Sequence, residues 1–481
     1  MMTLALILAP LAAALLAWRD TRGRLAVRLW LPLAAVLHLA GSLWLLASRG
    51  DVAAARLDDL LGLDMTSAIL LTVTSTLFLC VSLHTQLWLP AEQAKARRDG
   101  HGGLLQSHRV FVPCLLLFLS TMTLVISARN FGLLWVAVEA TTLASAPLIL
   151  FHRSGSSLEA MWKYLLICSV GIGLALFGTM LMAVSATGLE HGGLSLSLLA
   201  EHRAQLHPGW FKAAFILILV GYGTKMGLAP FHTWLPDAHS EAPGVVSALL
   251  SGALLNCSLL GIWRFLSICP DGLLPFCRQL LVALGLLSLA VAVFFIIHQP
   301  DYKRMLAYSS VEHMGLAAIL CGIGRWDVAL LHLCGHSLIK MSLFLLAGNV
   351  LLAYGTRAIR SIGGMFGRLP RTALLWLVGV LLICGTPPSP LFVSEWLLLT
   401  SAPLWLTCLV FLMLFGVFAG MSLACLKLCL GEDGEARPAA EDVCGAERAA
   451  AVPAVALGVA LLGGAYLTWC LLSGQPIPGV N

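Results

Sequence analysis

Long apolar runs alternate with short polar connections along nearly the whole chain. A run of about 20 mainly apolar residues is long enough to cross the hydrocarbon core of a bilayer as a helix. The pattern therefore predicts an all-α polytopic membrane protein with about 14 transmembrane helices. The predicted spans are residues 3–18, 28–48, 65–89, 109–128, 130–151, 161–185, 212–229, 243–266, 276–298, 303–323, 327–353, 372–398, 403–430 and 451–473.

The composition agrees with this pattern. The chain has 481 residues, of which 59% are hydrophobic and 11% are charged, and its mean hydropathy is +0.91. Soluble domains carry about 25% charged residues, so these values exclude a soluble globular protein. The sizeable hydrophilic segments are residues 91–108 and 431–450, and we predict no second, soluble domain.

Basic residues predict the orientation in the membrane. They fall mostly in connections after odd-numbered spans: Arg19 to Arg28, Lys95 to Arg109, Lys303–Arg304 and Arg357 to Arg371. About 19 Lys and Arg residues lie on that side and about 8 on the other, so the positive-inside rule places both termini outside the cytoplasm. Because Arg19, Arg22 and Arg24 follow the first span, we interpret it as a reversed anchor rather than a cleaved signal peptide.

The fourteen cysteines show no CxxC pair and no iron–sulfur spacing. Most lie in predicted spans and are interpreted as small apolar side chains. Cys269 and Cys277 share a predicted external connection and are candidates for a disulfide. Phosphate-binding glycine loops, dinucleotide fingerprints and nucleic-acid signatures are absent from the sequence, so we expect no cofactor in this chain.

Several predicted spans contain charged residues, which cost about 2.5–3.5 kcal/mol each at mid-membrane and by default mark ion or proton paths. Glu139 lies in FGLLWVAVEATTLASAPLILF; the alternative is a glutamate hydrogen-bonded to Thr141 or Thr142 with no transport role. Lys225 lies one turn before Pro230, where a broken helix is tolerated only if it is buried in protein or lines a wet cavity. The alternative is a lysine that is permanently paired as a strut.

The stretch DYKRMLAYSSVEHMG contains a further acid in a predicted span. Lys303 and Arg304 are predicted at the cytoplasmic boundary, and Glu312 falls about two turns deeper. The alternative for Glu312 is an interfacial cap near the cytoplasm.

His332, His336 and Lys340 follow one another at intervals of four, and so share one face of a helix over about 12 Å. Histidines at this spacing are good zinc ligands, but lysine is a poor third ligand and HExxH is absent, so we expect no metal. Two buried structural histidines with a snorkelling lysine are a second alternative. A proton relay is the preferred interpretation, because histidine titrates near neutral pH.

A second broken span carries Glu395 after Pro387, Pro388 and Pro390. It resembles the Lys225 segment, with a charge of opposite sign beside the break. Broken spans at corresponding positions of two halves indicate an internal repeat of the transporter type. Protons could then pass between such groups through bound water, and each charge would bias the next by Coulomb interaction.

Taken together, these segments resemble the antiporter-like membrane subunits shared by respiratory complex I, Mrp-type cation/proton antiporters and membrane-bound hydrogenases. The resemblance covers about residues 60–430 and rests on WVAVEATTLASAPL, GTKMGLAPFHTWLPDAHSEAP, DYKRMLAYSSVEHMG, HLCGHSLIKMSLF and PPSPLFVSEW. Within this superfamily, WLPDAHSEAPGVVSALLSGALLNC and the Glu312 phrase SSVEHMG are most similar to subunits of hydrogenase-4 and formate hydrogenlyase-type complexes.

The resemblance implies roles for individual residues. Glu139 and Lys225 match the acid–lysine pair of the first half-channel, and Lys340 matches the central lysine that links the halves. His332 and His336 are implied as relay partners of Lys340, Glu395 as the terminal group that exchanges protons with the outer side, and Lys163 as a second family lysine.

One position departs from the family. Many relatives carry a lysine or histidine in the span after LPDAHS, whereas this chain has Ser251 and Asn256 at the candidate positions. Neither side chain titrates, but Asn256 can hold water in a proton wire. The connection from Lys225 to Lys340 is therefore expected to be weaker here.

The resemblance also implies an organisation and a function. We expect N-terminal flanking helices (residues 1–108), two inverted five-helix repeats (109–266 and 276–430) and a C-terminal helix (451–481). The expected function is a proton-translocating subunit of a membrane-bound nickel–iron hydrogenase in the bacterial inner membrane, with nickel–iron and iron–sulfur centres on partner subunits. The alternatives are a subunit of an NADH–quinone oxidoreductase and a cation/proton antiporter, in which sodium is the other candidate ion.

Overall fold

The computed structural model describes residues 2–20, 23, 25–48, 60–100, 105–188, 193–432 and 434–473. These residues form helices and connections, with isolated β-bridges and no strand in the described ranges. The predicted all-α class is therefore confirmed. The helices are α1 (Met2–Arg19), α2 (Leu31–Ala47), α3 (Met65–Arg98), α4 (His108–Ser127), α5 (Phe131–Ile149), α6 (Gly155–Ser185), α7 (Leu196–Glu201), α8 (Pro208–Met226), α9 (Trp234–Glu241), α10 (Gly244–Leu249), α11 (Leu255–Ser267), α12 (Leu274–Ile297), α13 (Tyr302–Gly322), α14 (Trp326–Tyr354), α15 (Met365–Arg368), α16 (Pro370–Ile383), α17 (Pro390–Ser401), α18 (Leu404–Leu430), α19 (Ala440–Ala449) and α20 (Ala451–Leu472).

Eleven helices within the described ranges are long and apolar enough to cross a membrane, so the chain is a multi-pass membrane protein. The three remaining predicted spans coincide with α8, with α13 and with the pair α16 and α17. Charged residues interrupt the apolar sequences of α8 and α13, and the third of these spans is divided into two shorter helices at the prolines. The total of about 14 spans stays a prediction.

Connections that are predicted on the same side of the membrane contact one another. Isolated β-bridges pair Leu61 with Ala128 and Asn130 with Ser195 after even-numbered spans, and Asp301 with Ala358 after odd-numbered ones. On the odd side, Arg98 at the end of α3 also forms ion pairs with Glu441 and Asp442 of α19. The alternation of sides agrees with the predicted spans, and the assignment of one side to the cytoplasm rests on the basic residues.

Both spans that the sequence predicts to be broken, beside Lys225 and beside Glu395, are broken in the structure. Helix α8 ends at Met226, one residue after Lys225. The next residue, Gly227, has a φ of 84°, the left-handed conformation that terminates helices. Helix α16 likewise ends before Gly385, with φ of 67°, and α17 begins at Pro390. In each predicted five-helix repeat, the fourth span is the broken one.

The helices with buried polar residues lie at the centre of the molecule. In an apolar 18-residue stretch of α14, 94% of the residues are buried, and in a stretch of the same length within Gly244–Ser267 all of them are. The corresponding share is 28% both in α18 and in Ala440–Leu472. A π-helical turn, Leu250–Leu254, joins α10 to α11 inside this core. Such turns occur often at functional sites. The buried polar residues are therefore enclosed by less buried helices that expose apolar side chains.

Candidate functional site

Lys225 forms the centre of a hydrogen-bonded cluster in the first half of the molecule. Its side chain is completely buried in the last turn of α8. The Nζ atom donates to Thr142 Oγ1 at 2.9 Å and to Tyr164 Oη at 2.5 Å. Tyr164 Oη in turn lies 2.6 Å from Ser145 Oγ. The ammonium group is thus held by hydroxyl groups of α5 and α6 rather than by a carboxylate.

Glu139 joins the same cluster through Thr142. The Thr142 hydroxyl donates to Glu139 Oε2 at 3.4 Å, and Ser169 donates to Glu139 Oε1 at 2.9 Å. The opposite charges of Glu139 and Lys225 attract each other across this bridge. Thr142 therefore bridges Lys225 and Glu139. Glu139 itself is half-buried, at the edge of the cluster.

Lys340 is the buried lysine of the second half. It is completely buried on α14, and its Nζ atom donates to the Leu306 carbonyl at 2.6 Å and to Ser309 Oγ, both on α13. Glu312, one turn further along α13, attracts Lys340 through space. Within the described residues, neither Lys225 nor Lys340 has a carboxylate within ion-pair distance.

Three buried histidines form a cluster between α13, α14 and α17. His313 Nδ1 lies 3.2 Å from His332 Nε2, and His332 Nδ1 lies 2.8 Å from Ser394 Oγ. The Ser394 hydroxyl donates to the Leu391 carbonyl, so it accepts from His332 Nδ1–H, and His332 Nε2 accepts from His313 Nδ1–H. The ring of His336 is 5.1 Å from that of His313, and neither of its nitrogens has a partner in the described structure.

Two acids extend this cluster toward the periphery. Glu312 is 3% exposed in the middle of α13, and its Oε2 atom is 4.0 Å from His313 Nε2. This burial among helices favours a role inside the molecule over an interfacial cap. Glu395 on α17 is half-buried and lines a cavity of 320 Å³ whose other walls are largely aromatic. The charges of Glu312 and Glu395 repel each other.

Hydrogen bonds of Asn256 and Ser251 connect the two halves. Asn256 Nδ2 on α11 donates to Ser337 Oγ on α14 at 2.7 Å, and Ser251 Oγ in the π turn lies 2.8 Å from Ser310 Oγ on α13. Asn256 Oδ1 is buried without a partner in the described residues. Buried polar atoms in proteins are nearly always hydrogen-bonded, so water is expected at this atom. The two halves are thus linked here by neutral polar side chains.

His239 is a buried group that the sequence interpretation missed. It lies at the end of α9, its ring stacks on Phe344 at 4.8 Å, and both ring nitrogens lack a partner in the described structure. Its charge would interact with those of Lys340 and Lys303. A histidine directly after a broken span in LPDAHS is a signal that should have identified it.

Lys303 lies in the first turn of α13 and is enclosed by protein. Its side chain is completely buried, and Nζ donates to the carbonyls of Ser240 and Ala242, the latter at 2.5 Å. These carbonyls belong to the C-terminal end of α9, where a positive charge is favourable. Lys303 therefore secures the connection between α9 and α10, close to His239.

Lys163 lies apart from the buried lysines. Its side chain is 46% exposed near the start of α6, where Nζ contacts Glu159 at 2.7 Å and Asp237 at 3.1 Å. Arg304 also binds Asp237, at 3.0 Å. The structure thus places Lys163 in a cluster of ion pairs on the basic side, not beside Glu139 and Lys225.

Replacement of Lys163 by alanine is expected to have a small effect. An exposed ion pair contributes about 0–1 kcal/mol, so the free energy of unfolding should change by about 1 kcal/mol or less. Proton translocation should fall by less than about fivefold, the factor that corresponds to 1 kcal/mol. Thermal unfolding and proton uptake into vesicles would measure both, and a loss as large as that expected for Lys225 would contradict this assignment.

The functional residues have donor types that suit proton transfer. Among the described residues, no group of three or more His, Cys, Asp and Glu side chains is arranged to hold a metal ion. In the first half, hydrogen bonds connect Lys225 through Thr142 to the half-buried Glu139. In the second half, Lys340 is hydrogen-bonded to α13, and His313, His332 and Ser394 form a separate hydrogen-bonded chain.

Comparisons with known proteins agree with this geometry. The family model described as "NADH:quinone oxidoreductase/Mrp antiporter, TM" matches residues 128–422. The chain is 40% identical over 329 residues to the hydrogenase-4 component F homolog of Methylacidiphilum infernorum, a match that covers 66% of this chain and 68% of that protein. It is 29% identical over 355 residues to hydrogenase-4 component B of Escherichia coli, covering 70% of this chain but half of that longer protein.

A solved structure shows the same fold at lower sequence identity. A chain of the archaeal membrane-bound sulfane sulfur reductase superposes with a TM-score of 0.82 and 20% identity, covering 99% of this chain and 97% of that chain. The family model matches more than half of the sequence, and the matched region contains Glu139, Lys225, Lys340 and Glu395. The chain therefore belongs to the NADH:quinone oxidoreductase/Mrp antiporter transmembrane family.

Proposed function

We propose that this chain is a proton-translocating, antiporter-like membrane subunit of a membrane-bound nickel–iron hydrogenase or formate hydrogenlyase-type complex. The observation that carries the proposal is the pair of fully buried lysines, Lys225 and Lys340, each held by hydroxyl or carbonyl groups instead of a carboxylate. A buried lysine without a direct counter-ion is costly to keep charged. Its proton is therefore available for transfer to a neighbouring group.

In the first half, Thr142 can carry a proton between the lysine and the acid. Lys225 Nζ donates to Thr142 Oγ1 while the Thr142 hydroxyl donates to Glu139. A proton that moves from Lys225 to the hydroxyl oxygen releases the hydroxyl proton to the carboxylate. Glu139, half-buried, is then the group that exchanges protons with the surroundings of α5 and α6.

In the second half, Lys340 has proton acceptors on two sides. His239 lies toward the basic side of the molecule, and His336, His313 and His332 lie toward α17. Buried imidazole nitrogens without protein partners imply water in this region, which would connect Lys340 to the histidines. Glu312 and Glu395 continue the path to the half-buried end, where Glu395 would exchange protons with the outer side.

The two halves are coupled by charge. A change in the protonation of Lys225 or Lys340 alters the field at its neighbours, and this effect is strong in a medium of low dielectric constant. Electron transfer on partner subunits, which would hold the nickel–iron and iron–sulfur centres, would supply the first change of charge. We further propose the bacterial inner membrane as the location, with both termini outside the cytoplasm.

Two other assignments are compatible with membership in the family. The family description includes NADH:quinone oxidoreductase and Mrp antiporter, so a subunit of either kind is the alternative to the hydrogenase assignment. The similarity to the hydrogenase-4 component F homolog, at 40% identity over 329 residues, favours the hydrogenase.

Copurification would test the assignment to a complex. The tagged chain would be extracted from native membranes in mild detergent, with an untagged strain as the control, and its partners identified by mass spectrometry. A nickel–iron hydrogenase large subunit with iron–sulfur proteins is the expected result. NADH dehydrogenase subunits would replace the hydrogenase assignment, and small membrane partners without redox subunits would indicate an antiporter.

Asn256 is expected to contribute to the connection between the halves. Replacing Asn256 by leucine removes the bond to Ser337, a contribution of about 0.5–1.5 kcal/mol. If this bond stabilises proton transfer, the rate should fall by about two- to tenfold. Histidine at the same position provides a titratable group and should restore the rate. Proton uptake measured at equal protein levels would test both variants, and an unchanged rate with leucine would remove Asn256 from the path.

A further inference from the structure

We propose that Cys269 and Cys277 form a disulfide bond that ties the end of α11 to the start of α12 on the outer side of the membrane. Both side chains are buried, and their Sγ atoms are 3.6 Å apart. The two residues flank a short connection that contains a single 3₁₀ turn, Asp271–Leu273. The proposal is independent of the function proposed for the buried lysines.

The geometry needs only a small adjustment to form the bond. A disulfide has an S–S distance of about 2.05 Å, so the sulfur atoms must approach by roughly 1.5 Å. Cys269 lies in the connection just after α11, where its backbone N–H donates to the Leu266 carbonyl at 3.1 Å, and Cys277 lies in the first turn of α12. Rotation of the Cys269 side chain with a slight shift of this connection can therefore close the gap.

The location of the pair fits an oxidising compartment. The connection follows the eighth predicted span, which ends on the side poor in basic residues and is therefore assigned to the outside. Asp271 in this connection forms an ion pair with Arg203, at 3.3 Å. Arg203 lies in the connection between α6 and α8, which is assigned to the same side. Disulfides form and persist outside the cytoplasm, whereas thiols in the cytoplasm are kept reduced.

The reaction is a thiol–disulfide exchange with a disulfide-bearing oxidoreductase of the outer compartment. The thiolate of Cys269 attacks the disulfide of the oxidant and releases one of its sulfur atoms as a thiolate. The thiolate of Cys277 then attacks the mixed disulfide, which forms the Cys269–Cys277 bond and releases the oxidant as a dithiol. The two protons of the cysteine thiols pass to the reduced oxidant, which gains two electrons.

This reaction must precede the final packing of the helices, because both sulfur atoms are inaccessible in the folded chain. Once formed, the bond would be shielded from reductants by the same burial. It would join the two predicted repeats covalently at their connection, between α11, which carries Asn256, and α12, whose Ser288 hydroxyl accepts from the Ala229 backbone N–H at 2.9 Å.

A second pair of cysteines provides an internal control. The Sγ atoms of Cys425 and Cys429 are 4.0 Å apart, but both residues lie within α18, near its end on the basic side. A helical backbone fixes their separation, and the cytoplasm would keep them reduced. They are therefore expected to remain free thiols although their sulfur atoms are nearly as close.

Thiol mapping would test the proposal. The complex would be isolated from membranes treated with N-ethylmaleimide before lysis, denatured with the reagent still present, and digested with chymotrypsin without reduction. Cleavage after Leu273 or Phe276 separates the two cysteines, so a disulfide appears as a linked pair of peptides. The expected result is this linked pair, unlabelled until a reductant is added, together with full labelling of Cys425 and Cys429.

Two results would overturn the proposal. One is labelling of both Cys269 and Cys277 without reductant, and the other is a disulfide from either residue to a different cysteine. The variants Cys269→Ser and Cys277→Ser provide a second readout, since each must abolish the linked peptide and leave its partner labelled. Retention of the same linked mass in either variant would also contradict the assignment.

Discussion

Replacement of Lys225 by methionine is expected to lower redox-driven proton translocation into vesicles by about tenfold or more, as expected when a barrier rises by about 1.4 kcal/mol or more. Methionine fills a similar volume in the buried site but cannot carry a proton. The hydroxyl groups of Thr142 and Tyr164 would then have no proton donor between them. The measurement is proton uptake by proteoliposomes that contain the purified complex, normalised to its redox turnover.

Lys212 provides a matched control on the same helix. It is exposed at the start of α8, and its Nζ atom lies 4.3 Å from the centre of the Phe276 ring, away from the Lys225 cluster. Lys212→Met should translocate protons at the rate of the unmodified complex. Equal losses in both variants would show that the effect reflects altered folding of α8, and normal pumping by Lys225→Met would exclude Lys225 from the path.

Replacement of Lys340 by methionine is expected to cause a loss of similar size, by about tenfold or more. Lys340 is the group that contacts α13 through Leu306 and Ser309 and lies between His239 and the three-histidine cluster. Removal of its charge also removes the attraction to Glu312, which would retain a buried carboxyl group without a nearby cation. Proton uptake and redox turnover would be measured as for Lys225.

Two further variants separate the chemistry of Lys340 from its packing. Lys427→Met changes an exposed lysine at the end of α18 and should leave translocation unaffected. Ser309→Ala removes one acceptor of the Lys340 ammonium while leaving the lysine, and should give a smaller loss of about two- to tenfold. Full activity of Lys340→Met would refute a role for the central lysine.

Much of the fold could be predicted from the sequence because its strongest signals are local. Apolar runs predict helices, and prolines beside Lys225 and Glu395 predict the two breaks, both of which the structure contains. The cost of burying charge also singles out Glu312, which the structure encloses in protein. The contacts of Lys303 could not be predicted because its partners are backbone carbonyls, which leave no signature in a sequence.

The detailed site could not be predicted because it depends on contacts between distant segments. Thr142 bridges Lys225 and Glu139, and Ser337 links the two halves. Both are uncharged hydroxyl residues, which a search for charges in predicted spans does not identify. The position of Lys163 illustrates the opposite problem. A lysine in a predicted span near a family motif lies at an exposed end of its helix, because α6 begins at Gly155, six residues before the predicted start of the span.

The number of protons translocated per electron pair, compared among four forms of the complex, tests the central claim most directly. These forms are the unmodified complex, Lys225→Met, Lys340→Met and the double variant. If the two lysines act in series in one path, each single change should lower the ratio to the same value, and the double variant should lower it no further. Independent contributions that add in the double variant, or an unchanged ratio in either single variant, would contradict a path through both halves of this chain.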